Sequence, residues 1–242
     1  SLLIATTDKD MQQEIIENMF SAMEKLEENG FRPCSHLVLT AYVIGRYGNS
    51  RKQDDIVYKL KESYILLKEK YNNITNEDDY LLCALWSINN IEVEVVNDFI
   101  ENVYDHVADY NIRTKNGVQG LSNAMILNGS SGHMYRNMEF LLQLQKRDIK
   151  IANQFLPLVG VLSNTNPRRT VDLVEGVIED LCDKEAEYEF YLDKGFRTII
   201  AVVIVSFCTI SDKRRYIDEL LAHGVISFIN SKNKGIFEEA LS

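Results

Sequence analysis

Residues 53–90, QDDIVYKLKESYILLKEKYNNITNEDDYLLCALWSINN, contain the pattern that decides the fold. In the first part, apolar residues recur every three or four positions, beginning with Ile56, Leu60 and Tyr64. That period predicts an amphipathic helix. The second part, 79–90, is apolar on nearly every side, which predicts a shorter helix covered by neighbours on more than one side.

The same alternation continues along the chain. Two further amphipathic stripes lie within 94–110 and 169–188. The other apolar segments are 34–49, 117–129, 153–166 and 195–211. Each of these apolar segments ends in a cluster of Asn, Gly, Ser or Thr. These clusters recur along the chain at intervals of about 36 to 47 residues. This predicts an all-α fold of stacked antiparallel helix pairs, an irregular α-solenoid of HEAT or armadillo type with about 10–12 helices. A compact, non-repeating helical domain is the alternative.

No Pro-, Gly- or Ser-rich linker divides the sequence, so we expect one all-helical domain over 1–242. The cysteines lie in apolar stretches and lack CxxC spacing, which predicts reduced side chains in the core. They are Cys34, Cys83, Cys182 and Cys208.

The charge balance is acidic, with 26 Lys and Arg against 36 Asp and Glu and a formal net charge of -10. Sequence-independent binding to DNA or RNA needs a basic surface, and so does binding to an anionic membrane. We therefore expect neither as a partner. The N-terminal residues lack the basic region of a signal peptide, and the most apolar run, 199–208, is too short to span a bilayer. These features predict a cytoplasmic protein.

Two stretches resemble an uncharacterised bacterial all-helical family, a domain of unknown function. The family pattern YELLK, TGEDDY, LAALLA is similar to 64–68, 75–80 and 81–85, and the pattern LQxLSHILAL is similar to 118–127. Asn123 is a departure, because the family often has histidine there. The resemblance implies a helical fold and a bacterial, cytoplasmic source, and it implies no activity.

Catalytic and metal-binding patterns are not apparent. The four histidines form neither HExxH nor a pairing with cysteine at ligand spacing. His106 is expected in the core and His223 near a helix end, where a cation suits the helix dipole. Asp78 and Asp79 are expected to cap a helix, in a capping box that begins at Thr75; acid–base catalysis is the alternative. We expect no cofactor and no metal.

Basic residues stand at several predicted helix starts, where they oppose the helix dipole. They include Arg51, Arg168, Arg169, Arg214 and Arg215. If the helices stack as repeats, these arginines form a basic rim that could bind an anionic ligand or an acidic segment of a protein partner. The alternative is that acidic residues of the preceding repeat neutralise them.

Together these patterns favour a non-catalytic binding or scaffold module of stacked helix pairs, because such stacks offer a long concave surface to a partner. The alternative is an enzyme whose active site is dispersed between helices, combining carboxylates with Tyr, Trp or Arg. A structural oligomer is a third reading. The sequence leaves the oligomeric state open.

Overall fold

The structure, a computed structural model, describes residues 2–5, 7–48, 52–107, 115–127, 132–160, 166–209 and 216–233. Within these ranges the chain forms twelve α-helices, two short 3-10 helices and no strand. The predicted all-α fold class is confirmed.

The helices follow the alternation of the sequence. The first six are α1 Leu2–Ala5, α2 Lys9–Glu28, α3 Ser35–Tyr47, α4 Gln53–Lys70, α5 Tyr80–Ile88 and α6 Val93–Val107. The next six are α7 Lys115–Ile126, α8 Gly132–Lys146, α9 Leu156–Gly160, α10 Pro167–Tyr188, α11 Lys194–Thr209 and α12 Ile217–Asn233. The 3-10 helices Glu77–Asp79 and Asn153–Phe155 lead directly into α5 and α9.

The start of α10 agrees with its sequence signal. The side-chain oxygen of Asn166 accepts a hydrogen bond from the backbone N–H of Arg169 at 3.3 Å, and Pro167 occupies the first helical position. Proline fits there because that N–H has no partner within a helix. The spacing of Ser50 and Gln53 also predicts a capping box, and Ser50 lies outside the described residues.

The turn before α5 is capped one residue later than predicted, so the box between Thr75 and Asp78 is wrong. Asn76 Oδ1 accepts from the backbone N–H of Asp78 at 2.9 Å, and Asp79 Oδ2 accepts from the backbone N–H of Asn76 at 3.1 Å. The hydroxyl of Thr75 is used elsewhere: it donates to the carbonyl of Leu67 at 3.4 Å and accepts from Nε2 of Gln119 at 3.2 Å. The shift leaves Asp79 buried and Asp78 half-buried.

Helices that follow one another pack as antiparallel neighbours. α2 packs against α3, α4 against α5, α6 against α7, and α10 against α11. Further contacts join α3 to α5, α7 to α9, and α8 to α10. The antiparallel packing that the sequence predicts is therefore present.

The last described helix, α12, packs against α3, α9 and the 3-10 helix Asn153–Phe155. In a solenoid each repeat contacts only its neighbours, whereas α3 and α12 lie near opposite ends of the sequence. What is observed is a set of packed helix pairs with a contact between an early and a late helix. The irregular α-solenoid, with helix pairs repeating at about 36 to 47 residues, stays a prediction.

A glycine allows α12 to approach this 3-10 helix closely. A Cβ atom placed on Gly224 would lie 2.6 Å from Cε1 of Phe155 and 3.1 Å from the carbonyl oxygen of Gln154. Any larger residue would have to displace a fully buried aromatic ring. Because Gly224 has no side chain, α12 can lie this close to the 3-10 helix Asn153–Phe155.

The buried apolar side chains form one cluster that draws on helices from α2 to α12. α5 is buried along almost its whole length, as predicted, but α11 leaves Ile204 exposed. Cys83 is buried, whereas Cys182 and Cys208 are exposed, so the prediction that all four cysteines lie in the core is wrong. None of the described helices combines the length and the apolar character that crossing a membrane requires.

Candidate functional site

The predicted basic rim can be located at two of its five arginines. Arg168 and Arg169 lie exposed in the first turn of α10. The Arg168 Nε lies 3.7 Å from Oε1 of Glu139 on α8, so a neighbouring helix partly neutralises it, as the alternative reading expected. The other three arginines lie outside the described residues, namely Arg51, Arg214 and Arg215. The rim as a binding site stays a prediction.

The outer face of α10 combines apolar and acidic side chains. Leu173, Val177, Leu181 and Tyr188 follow one helical face; the first and last of these are exposed and the middle two half-buried. Three exposed carboxylates lie along the same helix with no cation within ion-pair distance in the part of the chain that the structure describes. They are Glu179, Asp180 and Asp183.

The turn from α10 to α11 is held in one conformation while it exposes aromatic rings. Arg197 donates two hydrogen bonds to the carboxylate of Glu185, at 2.6 and 2.8 Å. These bonds hold the pKa of Glu185 below its usual range. Asp193 Oδ1 accepts from the first backbone N–H groups of α11. On this turn Tyr191 is 80% exposed and Phe190 43% exposed.

A second region has the opposite character: polar side chains are buried between α3 and α12. On α12 these are Glu219, His223 and Ser227, which recur every fourth residue and therefore share one face. α3 presents a polar partner at each end of this face, His36 at one end and Arg46 at the other. Burial of polar groups is tolerated only when they are hydrogen-bonded.

At the Arg46 end of this interface, Glu219 is 1% exposed, and its carboxylate accepts two hydrogen bonds. Arg46 Nη1 donates to Glu219 Oε1 at 2.9 Å, and the hydroxyl of Tyr47 donates to the same atom at 2.7 Å. Burial and the nearby Glu219 charge raise the pKa of Tyr47. These two hydrogen bonds join α3 to α12, two helices that most of the sequence separates.

At the other end, His36 is held through both of its ring nitrogens. His36 Nδ1 lies 3.0 Å from Oδ1 of Asp78, and Nε2 lies 3.0 Å from Oγ of Ser227. The ring is 2% exposed, Ser227 is 7% exposed and the side chain of Asp78 is 37% exposed. The three residues come from α3, the 3-10 helix before α5, and α12.

His223 lies beside this group, with its ring centre 5.2 Å from that of His36. Its Nε2 donates to the backbone carbonyl of Asp78 at 2.8 Å, whereas Nδ1 is buried with no partner among the described residues. Burial, and secondarily the neighbouring His36, lowers the pKa of His223 to about 4, so the ring is neutral near pH 7. The prediction of a cationic His223 near a helix end is wrong, because the residue lies in the middle of α12.

The same 3-10 helix directs Asp79 to the opposite side, into the core. Burial, and to a smaller extent the charge of Asp78, raises the pKa of Asp79 to about 7. The carboxyl group is therefore part protonated near neutral pH. Its backbone-capping bond to Asn76 favours the ionised form but does not outweigh the cost of burial.

With the geometry described, comparison with known proteins assigns the family. A family model described as "Protein of unknown function (DUF4003)" matches residues 1–234. The chain belongs to this family. No curated protein and no solved structure matches the sequence.

The two stretches that resemble the DUF4003 pattern meet in the fold. Gln119 Nε2 donates to the hydroxyl of Thr75 at 3.2 Å, which joins α7 to the turn before α5. One helical turn further along α7, Asn123 is fully buried, and neither atom of its side-chain amide has a partner among the described residues. The indole N–H of Trp86 donates to the backbone carbonyl of the same residue at 3.1 Å.

Sequence reasoning missed the hydrogen bond between Ser227 and His36 in this DUF4003 chain. A signal was present, since Glu219, His223 and Ser227 place polar groups every fourth residue in the otherwise apolar stretch 219–229. His106, expected in the core, is half-buried against the ring of Tyr135 at 5.3 Å. Within the described ranges no three His, Cys, Asp or Glu side chains are placed to share a metal ion.

Proposed function

We propose that the chain is a binding module, and that the α10–α11 surface docks a basic amphipathic segment of a partner protein. The observation that carries this proposal is the exposed apolar face of α10, continued by the aromatic turn, with Asp180 beside it and Asp183 and Glu179 further around the same helix. The proposal refines the binding or scaffold role that the helix pairs favour in the sequence.

The apolar content supports a docking role. Contiguous exposed apolar patches on soluble proteins mark interaction sites, and tyrosine is enriched where two proteins meet. Tyr188 and Tyr191 are 65% and 80% exposed. Each would bury a large ring on binding, while the hydroxyl stays able to form a hydrogen bond.

The rigidity of the turn supports affinity. Association costs less when the contacting loop is already ordered. The two bonds between Arg197 and Glu185 and the cap at Asp193 fix the backbone on both sides of the aromatic residues. Little conformational entropy would then be lost when a partner binds.

The charges select the kind of partner. Carboxylates without a cation nearby attract a basic partner and raise its association rate. A helix with leucines on one face and lysines or arginines beside them would cover the apolar stripe and meet Asp180, while Asp183 and Glu179 add to the negative charge around it. An acidic partner would be repelled at this surface.

A binding measurement with a defined probe tests the proposal. The probe is a labelled helical peptide of Leu and Lys, and its matched control has Glu at every Lys position. We expect fluorescence anisotropy to show binding of the Lys peptide, and the double change Tyr188→Ser and Tyr191→Ser to weaken it at least about tenfold, which is about 1.4 kcal/mol. Tyr58→Ser, at an exposed tyrosine of α4, is the control and should bind normally.

Three results would overturn this function. They are equal binding of the Glu peptide, unchanged binding in the Tyr188 and Tyr191 variant, and a dimer in solution that only this variant dissociates, which would identify a second copy as the occupant. The basic rim needs a separate probe, a peptide of Glu alone without leucine: binding that is lost in Arg168→Glu with Arg169→Glu would support an anionic partner there.

A further inference from the structure

We infer that Ser227 is an activated nucleophile, with His36 as its general base and Asp78 as the group that orients the base, and that it acts on esters or thioesters of short acyl groups. This activity goes beyond the proposed binding function and uses other helices. It also departs from the expectation of a non-catalytic module.

The hydrogen-bond chain assigns the proton positions. A carboxylate can only accept, so His36 Nδ1–H donates to Asp78 Oδ1 at 3.0 Å. In the neutral ring Nε2 then carries a lone pair and accepts the hydroxyl proton of Ser227 at 3.0 Å. This is the order in which a serine nucleophile, a base and an orienting acid act in acyl transfer.

Ser227 differs from Ser122 and Ser206, two other buried serines inside helices. The hydroxyls of Ser122 and Ser206 donate to the backbone carbonyl four residues earlier, at 2.7 and 2.6 Å. That internal bond is the ordinary solution for a serine within a helix. Ser227 instead directs its hydroxyl across the interface to His36, where the proton can be removed.

His223 supplies a second reason to expect a ligand beside Ser227. The two residues lie one turn apart on the same face of α12, so their side chains are neighbours. Nδ1 of His223 is buried, unprotonated and without a partner among the described residues. It could accept a hydrogen bond from a water or an alcohol that lies next to the serine.

The reaction balances with water as the co-reactant. Ser227 Oγ bonds to the acyl carbon while its proton passes to His36 Nε2, and the bond to the leaving alcohol or thiol breaks as that group takes the proton. Water then attacks the acyl-serine and gives a proton to Nε2. The bond from Oγ to the acyl carbon breaks, the proton returns to Oγ, and the carboxylic acid leaves. Asp78 stabilises the transient imidazolium.

The burial of Ser227 limits the substrate. With the residue 7% exposed and His36 2% exposed, a long acyl chain would have to displace α12 from α3. Acetyl and similarly short groups fit this restriction. The half-buried side chain of Asp78 marks the side from which solvent approaches the group.

Labelling of the full chain with methanesulfonyl fluoride tests the inference. This reagent transfers a group close in size to acetyl, forms a sulfonyl ester with activated serines, and leaves an adduct that mass spectrometry of peptides locates. We expect an adduct at Ser227, its loss in Ser227→Ala, and normal labelling in Ser206→Ala. Hydrolysis of p-nitrophenyl acetate should fall about 100-fold or more in His36→Gln, which is in the range for removing a general base.

Asp78→Asn separates catalysis from structure. The amide keeps a hydrogen bond to His36 but favours the other tautomer, so labelling should slow at least about tenfold while thermal unfolding of the variant stays close to that of the parent chain. An unlabelled Ser227 in the folded chain would overturn the inference. Equal ester hydrolysis by Ser227→Ala would overturn it too.

Discussion

The interface between α3 and α12 buries polar side chains, whereas the α10–α11 surface leaves apolar side chains in water. Glu219 and His36 are almost completely buried, while Tyr188 and Tyr191 are largely exposed. Both arrangements reverse the usual distribution of residues in a folded protein, and such reversals are the informative ones.

The two regions differ in the interactions that their side chains make within the chain. At the first, Arg46 is bonded to Glu219 and His36 to Ser227, so the loss of one partner leaves the other buried and unpaired. At the second, Tyr188 and Tyr191 lie largely in water, so the loss of their rings changes little in the folded protein. The first region is therefore expected to control stability, and the second to control association. Four predictions test this division.

The largest effect is expected at the buried ion pair. Arg46→Met removes the cation that faces Glu219, whose carboxylate remains buried. We expect the free energy of unfolding to fall by about 3 kcal/mol or more, measured by urea denaturation. Arg168→Met removes an arginine from an exposed pair and should cost less than about 1 kcal/mol. Equal losses in the two variants would contradict the contrast.

The pH dependence of stability should have two opposed components. His223 has a folded pKa of about 4 against a usual 6.5, so the unfolded chain binds more protons between these values and stability falls as pH falls through them. Asp79 has a folded pKa of about 7 against a usual 3.8, so its contribution falls as pH rises through that window. In the native chain the two largely cancel.

Single changes should separate these components. Relative to the native chain, Asp79→Asn should lose about 3 kcal/mol between pH 7 and pH 4, because the contribution of His223 is no longer offset. His223→Gln should show the reverse trend, with stability falling as pH rises toward 7. Urea denaturation across this range measures both, and parallel profiles of the two variants would refute the assignment.

A steric change should have a smaller effect. Gly224→Ala places a methyl group against Phe155, and overpacking of this kind costs about 1–3 kcal/mol. Thermal unfolding measures the loss. Gly176→Ala is the control, since a Cβ there meets nothing within 4 Å and alanine favours the helix. A Gly224 variant as stable as its control would show that α12 can move away freely.

The smallest stability effect is expected at the exposed surface. The change Tyr188→Ser with Tyr191→Ser should alter the free energy of unfolding by no more than about 0.5 kcal/mol, which is the range for surface substitutions. Urea denaturation gives the value. A loss as large as that of Arg46→Met would mean that these rings stabilise the folded chain, and the division between the two regions would fail.

Local signals made much of the fold predictable. Asn166 followed by Pro167 fixes the start of α10 because a cap and a fixed φ act on neighbouring residues. This placed Arg168 and Arg169 in the first turn correctly. The period of apolar residues in α4 predicted its buried face, and the apolar character of α5 predicted its nearly complete burial. Both predictions rest on neighbouring residues of one helix.

Local sequence signals could not predict that α3 and α12 form an interface. His36 and Ser227 are 191 residues apart in the sequence, and the periodicity of one helix does not say which helix will cover it. The shift of the capping box from Thr75 to Asn76 had a large consequence as well. It decided which of two adjacent aspartates reaches His36 and which enters the core.

The contact between α3 and α12 also determines when α3 can complete its folding during synthesis. At about 5–20 residues per second, α3 leaves the ribosome some 10–40 s before the residues of α12 that complete it. During that interval His36, Arg46 and Tyr47 lack the partners they have in the folded chain. The early helices can pack with one another, but the interface between α3 and α12 forms only after α12 has been synthesised. Shortened chains without α12 should therefore be preferred targets for chaperones and proteases.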